Sequence, residues 1–259
     1  MLTFHGKRIG VTIPAYNEEV LIPAVLRNMP HFVDRIYLVN DGSTDGTRHL
    51  VGQLCRTEHR LTLIDHAVNM GVGAAIVSGY KRCLEEGMDV AVVMAGDDQM
   101  DPGELPRLLE PLLEGRAGYS KGNRMSTSSH VRPMPVWRRF GNWLLKWATR
   151  VSSGNFEVMD PQNGYTAASA DALQRIDLET IYPRYGYCNH ILAKLAVAGI
   201  RTVEVPMAAR YQGEKSKIRY ATYIPSVSWL LLKLLLWRMR MRLAVRREPE
   251  REGDSRASR

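Results

Sequence analysis

The sequence predicts an α/β protein with a mostly parallel sheet flanked by helices, because strand-like and helix-like segments alternate along its first hundred residues. Segments that alternate in this way pair as parallel strands joined by right-handed crossovers. The four strand-like segments are Arg8–Ile13, Arg35–Val39, Leu61–Ile64 and Val90–Met94. The three helix-like segments between them are Val20–Arg27, Thr47–Arg56 and Val72–Glu86.

The rest of the chain predicts a second α/β portion followed by a helix and a tail. Its elements are a helix ending at Leu113, a strand near Gly118–Ser120, a loop over 125–135, a helix over Val136–Val151, the segment Asp160–Ser169, a helix from Ala170, a helix near Tyr187–Ala198 and a strand at Arg201–Val205. We expect one domain over 1–220, a membrane-associating or docking helix over 221–245, and a disordered tail over 246–259, where charges of both signs replace apolar residues.

Composition excludes several classes of protein. The chain has 259 residues, of which 45% are hydrophobic, so it can bury a substantial core, unlike a disordered chain or a disulfide mini-protein. The three cysteines form no CxxC pair, which argues against a disulfide framework or structural zinc and suits a reducing compartment. We expect no signal peptide, because the N-terminus runs through Lys7 and Arg8 into a strand-like segment without an apolar h-region. We also expect no membrane-spanning segment, because the longest uncharged apolar stretch, 221–232, is shorter than the ~20 residues required.

The positive net charge of +8 is concentrated in two segments. Residues 116–150 carry eight basic residues and residues 233–247 carry six, and neither segment has an acidic residue. The rest of the chain has 21 basic and 27 acidic residues, and all five tryptophans lie in or just before the two basic segments. This distribution argues against a nucleic-acid-binding protein and favours an acidic body with two basic, tryptophan-bearing segments.

The helix predicted over Val136–Val151 is amphipathic. At about 100° per residue one arc is apolar and the opposite arc basic. The apolar arc holds Trp137, Phe140, Trp143, Leu144, Trp147, Ala148 and Val151, and the basic arc holds Arg138, Arg139, Lys146 and Arg150. Such a helix suits the plane of an anionic membrane surface, and packing on the sheet is the alternative. The stretch Trp229–Val245 divides its basic residues between two faces, so a membrane anchor and a docking helix for a membrane protein or a second copy both remain open.

Polar side chains follow each of the four predicted strands. The strand ends read Pro14-Ala15-Tyr16-Asn17-Glu18, Asn40-Asp41-Gly42-Ser43, His66-Ala67-Val68-Asn69 and Ala95-Gly96-Asp97-Asp98-Gln99. Ligands of parallel α/β sheets bind beyond the carboxyl ends of the strands. The sequence therefore predicts a ligand site at this edge of the sheet.

Two of these strand ends indicate specific chemistry, each with a structural alternative. Asp97, Asp98 and Gln99 are hard oxygen ligands that suit Mg²⁺ or Mn²⁺ on a diphosphate, although an acidic turn with Asp101 as a helix N-cap would look the same. Asp41 is placed to accept hydrogen bonds from a nucleobase or ribose, or belongs to a simple turn. The full dinucleotide-binding and P-loop patterns are absent, which argues against a dehydrogenase or a P-loop kinase.

Six motifs in order resemble those of family 2 glycosyltransferases with a GT-A fold, and among them the polyprenyl- or dolichol-phosphate sugar synthases. The resemblance covers roughly residues 8–220. The motifs are Pro14-Ala15-Tyr16-Asn17-Glu18-Glu19, Asn40-Asp41-Gly42-Ser43-Thr44-Asp45, Asn69-Met70-Gly71-Val72-Gly73, Gly96-Asp97-Asp98-Gln99-Met100-Asp101-Pro102, Lys121-Gly122-Asn123-Arg124 and Asp160-Pro161-Gln162-Asn163-Gly164-Tyr165.

The resemblance implies a GT-A Rossmann-like sheet and a nucleotide-diphosphate sugar donor. The residues implied to bind the donor are Pro14, Tyr16, Glu18, Asp41, Asn69, Asp97 and Asp98. It also implies that Asp97 and Gln99 hold Mg²⁺ or Mn²⁺ and that Asp97 and Arg124 are the catalytic residues. The family usually has an aspartate at the position of Ala95, so Asp98 or water would supply the missing oxygen here.

The resemblance also implies a polyprenyl phosphate acceptor, whose phosphate would be held by Arg124, Arg138, Arg139, Lys215 and Lys217. Such a phosphate is already anionic and can attack the sugar without a strong general base, with inversion at C1. The sequence thus predicts a metal-dependent enzyme that is peripheral on the cytoplasmic face of the membrane. The alternatives are a family 2 transferase acting on a glycan or protein hydroxyl, and a catalytically silent module that binds nucleotide sugar.

Overall fold

The computed structural model describes residues 4–97, 99–126, 136–208 and 220–247. Seven strands form one sheet: β1 (Ile9–Ala15), β2 (Arg35–Asp41), β3 (Leu61–His66), β4 (Val90–Val93), β5 (Tyr119–Asn123), β6 (Thr166–Ser169) and β7 (Thr202–Pro206). The helices are α1 (Ile22–Arg27), α2 (Thr47–Leu54), α3 (Val72–Glu85), α4 (Leu105–Leu113), α5 (Val136–Ser153), α6 (Ala170–Gln174), α7 (Tyr187–Val197) and α8 (Tyr220–Arg247), with a 3₁₀ turn at Pro102–Glu104.

The strand order is β3-β2-β1-β4-β6-β5-β7, and only β6 runs against its neighbours. In register, Val93 of β4 lies opposite Thr166 of β6, and Thr166 lies opposite Lys121 of β5. Because β6 is antiparallel to both flanking strands, β4 and β5 point the same way. The carboxyl ends of β1 to β5 and β7 therefore share one edge of the sheet with the start of β6.

The central strands are continuous apolar runs because both faces of the sheet are covered. Ile9, Val11 and Ile13 of β1 lie in a core cluster with Leu105 and other residues of α4. A second cluster joins the opposite face to α3 and α7, with Ile76 and Ile191 fully buried. Strands buried on both sides read as near-continuous hydrophobic sequence rather than as an alternation.

Gly79 allows α3 to lie directly on β1. A Cβ at Gly79 would overlap the side chain of Thr12. This close approach sets the distance between α3 and the sheet. It thereby places the loop that precedes α3 at the edge where the polar strand ends lie.

Helices α5 and α8 both pack on α7. Thr149 of α5 lies within hydrogen-bonding distance of Asn189 of α7, Oγ1 to Oδ1 at 3.3 Å. Leu230 and Leu234 of α8 are buried against Ala193 of α7. No helix among the described residues is both long and apolar enough to span a bilayer.

The predicted α/β class and mostly parallel sheet are confirmed, with shifts in element boundaries. Strands β1, β2 and β3 each end two residues later than predicted, so Asp41 and His66 are the last residues of their strands. The segment Asp160–Ser169 forms a loop followed by β6, and within the loop the N–H of Tyr165 donates to Asn163 Oδ1 at 3.0 Å. The strand expected near Gly118–Ser120 extends to Asn123. Arg246 and Arg247, expected in the tail, instead end α8. Residues 248–259 of the tail and 127–135 of the predicted loop lie outside the described residues.

Candidate active site

The loops after β1 and β2 are tied together by side chains from both. The N–H of Asn17 donates to Ser43 Oγ at 3.0 Å, and the N–H of Thr44 donates to Asn17 Oδ1 at 2.8 Å. Asn17 has a φ of 56°, a left-handed conformation that asparagine tolerates better than most residues. Glu18 donates its N–H to Thr47 Oγ1 at 2.9 Å. These bonds place Tyr16 and Glu18, two of the predicted donor-binding residues, beside the loop that follows Asp41.

Asp41 is buried, and its carboxylate holds the loop that precedes α3. Oδ1 accepts the N–H of Met70 at 2.9 Å and Oδ2 accepts the N–H of Gly71 at 2.8 Å. The side chain of Asn69 donates to the main-chain oxygen of Asp41 at 3.2 Å. The structure thus brings Asp41 and Asn69 together as predicted from the sequence. It also gives the Asp41 carboxylate partners within the protein, so its predicted contact with a base or ribose stays a prediction.

His66 completes this arrangement and was missed by the sequence reasoning as a functional residue. Its Nδ1 lies 2.8 Å from Asp41 Oδ1, and its Nε2 lies 2.9 Å from Ser78 Oγ on α3. The two ring nitrogens of His66 therefore connect the Asp41 carboxylate to the hydroxyl of Ser78. The only sequence feature that pointed to His66 as a functional residue was its position at the end of a predicted strand.

The loop after β4 carries the predicted metal ligands. The N–H of Gln99 donates to Asp97 Oδ1 at 3.2 Å. Asp101 accepts the N–H of Gly103 at 2.9 Å, so it caps the 3₁₀ turn as the structural alternative expected. The hydroxyl of Tyr165 donates to the main-chain oxygen of Asp101 at 3.0 Å, which joins this loop to the Asp160–Tyr165 motif.

The described part of this loop fits a metal that is shared with a substrate. No group of three or more His, Cys, Asp or Glu side chains within the described residues could hold a metal ion by itself. Asp97 offers one carboxylate, Gln99 an amide oxygen, and Ala95 none; Asp98 lies outside the described residues. Mg²⁺ is commonly bound by one or two carboxylates together with substrate phosphates and waters. The residues present therefore suit a divalent ion completed by a diphosphate.

Arg124 and Asp160 form a two-point ion pair at the ends of β5 and of the loop before β6. Arg124 Nε donates to Asp160 Oδ2 at 2.8 Å and Nη2 donates to Oδ1 at 3.1 Å. The Asp160 side chain is only 5% exposed, whereas that of Arg124 is 35% exposed. Burial raises the pKa of Asp160, but the charge and hydrogen bonds of Arg124 and the charge of Lys121 together outweigh burial and hold the pKa below its ordinary value.

Lys121 and Glu204 surround this pair and were also missed by the sequence reasoning. The ammonium of Lys121 is fully buried and donates to the main-chain oxygen of Asp160. Glu204 of β7 accepts the N–H groups of Met159 and Asp160, each at 2.8 Å. Burial lowers the pKa of Lys121 and raises that of Glu204. The sequence feature that could have identified both residues is that each is the one charged residue in a short strand.

Of the five predicted acceptor-phosphate residues, the structure locates the side chain of Arg124. Arg138 and Arg139 lie on α5, where their side chains are not described. Lys215 and Lys217 lie outside the described residues. The predicted joining of these cations around one phosphate therefore stays a prediction.

The described part of the apolar arc of α5 faces solvent. Trp143 is 54% exposed and Trp147 is 42% exposed, while the helix packs through Thr149, Ser152 and Ser153. For Trp143, Trp147 and Val151 the alternative in which this arc packs on the sheet is wrong. The guanidinium of Arg150 lies 5.3 Å from the centre of the Trp147 ring and donates to Val158 O at 2.8 Å.

Helix α8 exposes a second apolar stripe on the side away from α7. Its large exposed members alternate three and four residues apart and are Trp229, Leu232, Leu236 and Met239. The ammonium of Lys233 lies 5.3 Å from the centre of the Trp229 ring. The membrane-associating or docking role predicted for this helix stays a prediction.

Comparison with known proteins gives a consistent result. Residues 10–177 match the family described as Glycosyl transferase family 2. The chain is 30% identical over 218 residues to the UDP-N-acetylglucosamine–dolichyl-phosphate N-acetylglucosaminyltransferase of Methanococcus voltae, covering 79% of this chain and 86% of the relative. It is 30% identical over 203 residues to the undecaprenyl-phosphate mannosyltransferase of Micrococcus luteus, covering 77% and 82%.

The fold is similar to that of solved glycosyltransferase structures. Glucosyl-3-phosphoglycerate synthase from Mycobacterium tuberculosis in complex with UDP superposes with a TM-score of 0.61 at 22% identity. The match covers 90% of this chain and 80% of that one. At this identity the comparison establishes the fold, which is GT-A.

Proposed function

The chain belongs to glycosyl transferase family 2 and is a glycosyltransferase, and we propose that it moves a sugar from a nucleotide-diphosphate sugar to a polyprenyl phosphate. Two relatives that each cover more than three quarters of the chain are named for transfer to dolichyl or undecaprenyl phosphate. The chain also carries the predicted donor motifs at one edge of its sheet.

The observation that carries the acceptor assignment is the ion pair between Arg124 and Asp160. An alcohol acceptor needs a general base, and a useful base has a pKa near the working pH. Asp160 is buried and its pKa is held low, so its carboxylate is a weak base. A phosphate acceptor is already anionic and needs a cation, which the partly exposed guanidinium of Arg124 supplies.

In the proposed reaction a phosphate oxygen of the acceptor attacks C1 of the sugar as the bond from C1 to the nucleoside diphosphate breaks. One displacement inverts the configuration at C1. Arg124 binds and orients the attacking phosphate, and the loops carrying Tyr16, Glu18 and Asp41 hold the nucleoside. No proton has to be removed from the attacking oxygen, so Asp160 has no role as a base.

The donor diphosphate would be bound with Mg²⁺ or Mn²⁺ at Asp97 and Gln99. The ion would supply positive charge to the departing nucleoside diphosphate. Support comes from the donor set of the loop and from the Mn²⁺ in a solved complex of the glucosyl-3-phosphoglycerate synthase. Asp97 has the further role of fixing the loop through its bond with the N–H of Gln99.

We place the enzyme as a peripheral protein on the cytoplasmic face of a membrane. The polyprenyl chain of the acceptor is confined to a bilayer, so the enzyme has to work at its surface. Exposed tryptophans beside basic residues on α5 support contact with an anionic lipid surface.

The test is a screen of nucleotide sugars against a short polyprenyl phosphate, with the glycolipid product identified by mass spectrometry. We expect one nucleotide sugar to give a product whose mass increases by that of the sugar residue, together with release of nucleoside diphosphate. Transfer to a glycan or protein hydroxyl but never to the lipid phosphate would overturn the acceptor assignment. Donor binding without turnover on any acceptor would instead favour a silent binding module.

A further inference from the structure

Glu204 lies on β7, outside residues 10–177 that match the family and outside every motif recognised in the sequence. It is opposite Lys121 in the pairing of β7 with β5. Its side chain is partly buried, and it lies beside the Arg124–Asp160 pair. A carboxylate in such a place costs solvation free energy unless hydrogen bonds compensate for it.

Those hydrogen bonds go to two different chain segments. Glu204 Oε1 accepts the N–H groups of Met159 and Asp160, each at 2.8 Å. Glu204 Oε2 accepts the side-chain amide of Asn123 at 2.7 Å. One segment carries Asp160, and the other ends in Arg124. A single carboxylate thus bonds to the backbone of the segment that carries Asp160 and to the Asn123 side chain, next to Arg124.

Asn123 connects Glu204 to the turn that contains Arg124, because it bonds both to Glu204 and to the residue after Arg124. Its Oδ1 accepts the N–H of Met125 at 2.8 Å, so the amide nitrogen is the atom turned toward Glu204. The N–H of Arg124 itself donates to Asp160 Oδ2 at 3.1 Å. The turn that begins at Asn123 is therefore fixed by Glu204 on one side and by Asp160 on the other.

The charges of the cluster balance. Lys121 and Arg124 are basic, and Asp160 and Glu204 are acidic. Fixing the guanidinium before the acceptor arrives reduces the conformational entropy lost when the phosphate binds. The arrangement therefore suits orientation of Arg124 better than simple accumulation of positive charge.

We propose that Glu204 is a positioning residue that orients Arg124 for the acceptor phosphate, an inference that rests on the function proposed above. Glu204 acts through Asn123 and the Met159–Asp160 backbone and does not touch the substrate. It sets the affinity for the acceptor while leaving donor binding to the loops after β1, β2 and β4.

The test is a double-mutant cycle between Glu204 and Asn123 in the full chain. In Glu204→Gln one of the two acceptor oxygens becomes an NH₂ group. In either orientation of the amide, this NH₂ group meets another donor, which is either the pair of backbone N–H groups or the Asn123 amide. In Asn123→Asp two carboxylates face each other. The double variant restores complementarity, because the amide nitrogen of the introduced glutamine can donate to the introduced aspartate while its oxygen accepts the two backbone N–H groups.

Steady-state kinetics with undecaprenyl phosphate and the donor that the wild type uses should separate the two substrates. We expect each single variant to raise the acceptor KM about tenfold, with the donor KM within about twofold, and the double variant to recover most of the loss. Asp34→Asn is the matched control, because Asp34 accepts the N–H of Ile9 at 2.8 Å at the opposite edge of the sheet. It should change neither KM.

An acceptor KM that stays at the wild-type value in Glu204→Gln would overturn the inference. So would an equal rise in both KM values, or a double variant no better than the singles, since a merely structural role would give those results. A wild type that never uses the lipid phosphate is a different outcome: it overturns the proposed function and this inference with it.

Discussion

The carboxylate of Asp41 accepts the backbone N–H of Gly71 at 2.8 Å, so one buried side chain joins the loop after β2 to the start of α3. Gly42 makes the same junction possible, because a Cβ there would overlap the backbone of Val68 and Asn69. Two motifs that are thirty residues apart in the chain are thereby fixed as one surface.

Asp41→Asn should weaken donor binding. The amide replaces one acceptor oxygen with a donor, which then faces the backbone N–H groups of Met70 or Gly71, and the loop is displaced. We expect the donor KM to rise about tenfold or more with the acceptor KM unchanged. Asp89→Asn is the control, because Asp89 accepts the N–H of Arg8 at the opposite edge. A donor KM equal to that of the wild type would exclude a role for this junction in donor binding.

Arg124→Lys should impair use of the acceptor. Lysine keeps the charge but loses the fork that binds Asp160 at two points and a phosphate at two oxygens. We expect the acceptor KM to increase at least tenfold and the donor KM to change little. Arg107→Lys, at an exposed pair with Glu104, is the conservative control. A variant that binds the acceptor as tightly as the wild type would contradict the proposed phosphate site.

Removal of divalent metal should stop turnover. With a chelator in excess, the diphosphate loses the ion proposed at Asp97 and Gln99, and added Mg²⁺ or Mn²⁺ should restore the rate. Asp97→Asn should require about tenfold more metal for half-maximal activity, because the proposed carboxylate ligand is neutralised. Full activity in the chelator would rule out the proposed metal dependence.

Replacing the exposed tryptophans of α5 should weaken membrane binding. The Trp143→Ser, Trp147→Ser variant removes two interfacial side chains that are each about half exposed. We expect the wild type to sediment with anionic vesicles and to be released by high salt, and the variant to remain largely in the supernatant. Val20→Ser, an exposed apolar residue outside α5, should behave as the wild type. Equal sedimentation of both variants would argue against the α5 surface.

Acid should destabilise the fold through His190. Burial lowers the pKa of His190 to about 4, and its Nδ1 accepts the N–H of Tyr182 at 3.1 Å, which requires the neutral ring. A folded pKa below the unfolded value of about 6.5 means that this stabilisation is complete above pH 6.5 and is lost between pH 6.5 and 4. The loss should reach about 3 kcal/mol.

His190→Asn provides the comparison, because asparagine does not titrate and its oxygen can accept the same N–H. Denaturant unfolding across this pH range should show the free energies of unfolding of wild type and variant converging as the pH falls. A constant difference between them would show that His190 is not the titrating group.

Local sequence patterns predict the architecture and the edge of the sheet at which the candidate site lies. The alternation of strand-like and helix-like segments can be recognised from local sequence. Parallel strands joined by crossovers end at the same edge of the sheet. The motifs beginning at Pro14, Asn40, Asn69 and Gly96 could therefore be placed together from spacing alone. The amphipathic arc of the helix at 136–153 could also be read directly, but not the direction in which it faces.

Which side chains are partners follows only from the order and direction of the strands. Arg124 pairs with Asp160, thirty-six residues away, and Glu204 bonds to the backbone N–H of Asp160 and to the side chain of Asn123 beside Arg124, because an antiparallel β6 and a parallel β7 bring three distant segments to one edge. Contacts between distant residues depend on which strands are neighbours in the sheet, and local sequence patterns do not specify this. The exposure of the α5 tryptophans also depends on tertiary packing, because the buried residues of that helix are the small side chains Thr149, Ser152 and Ser153.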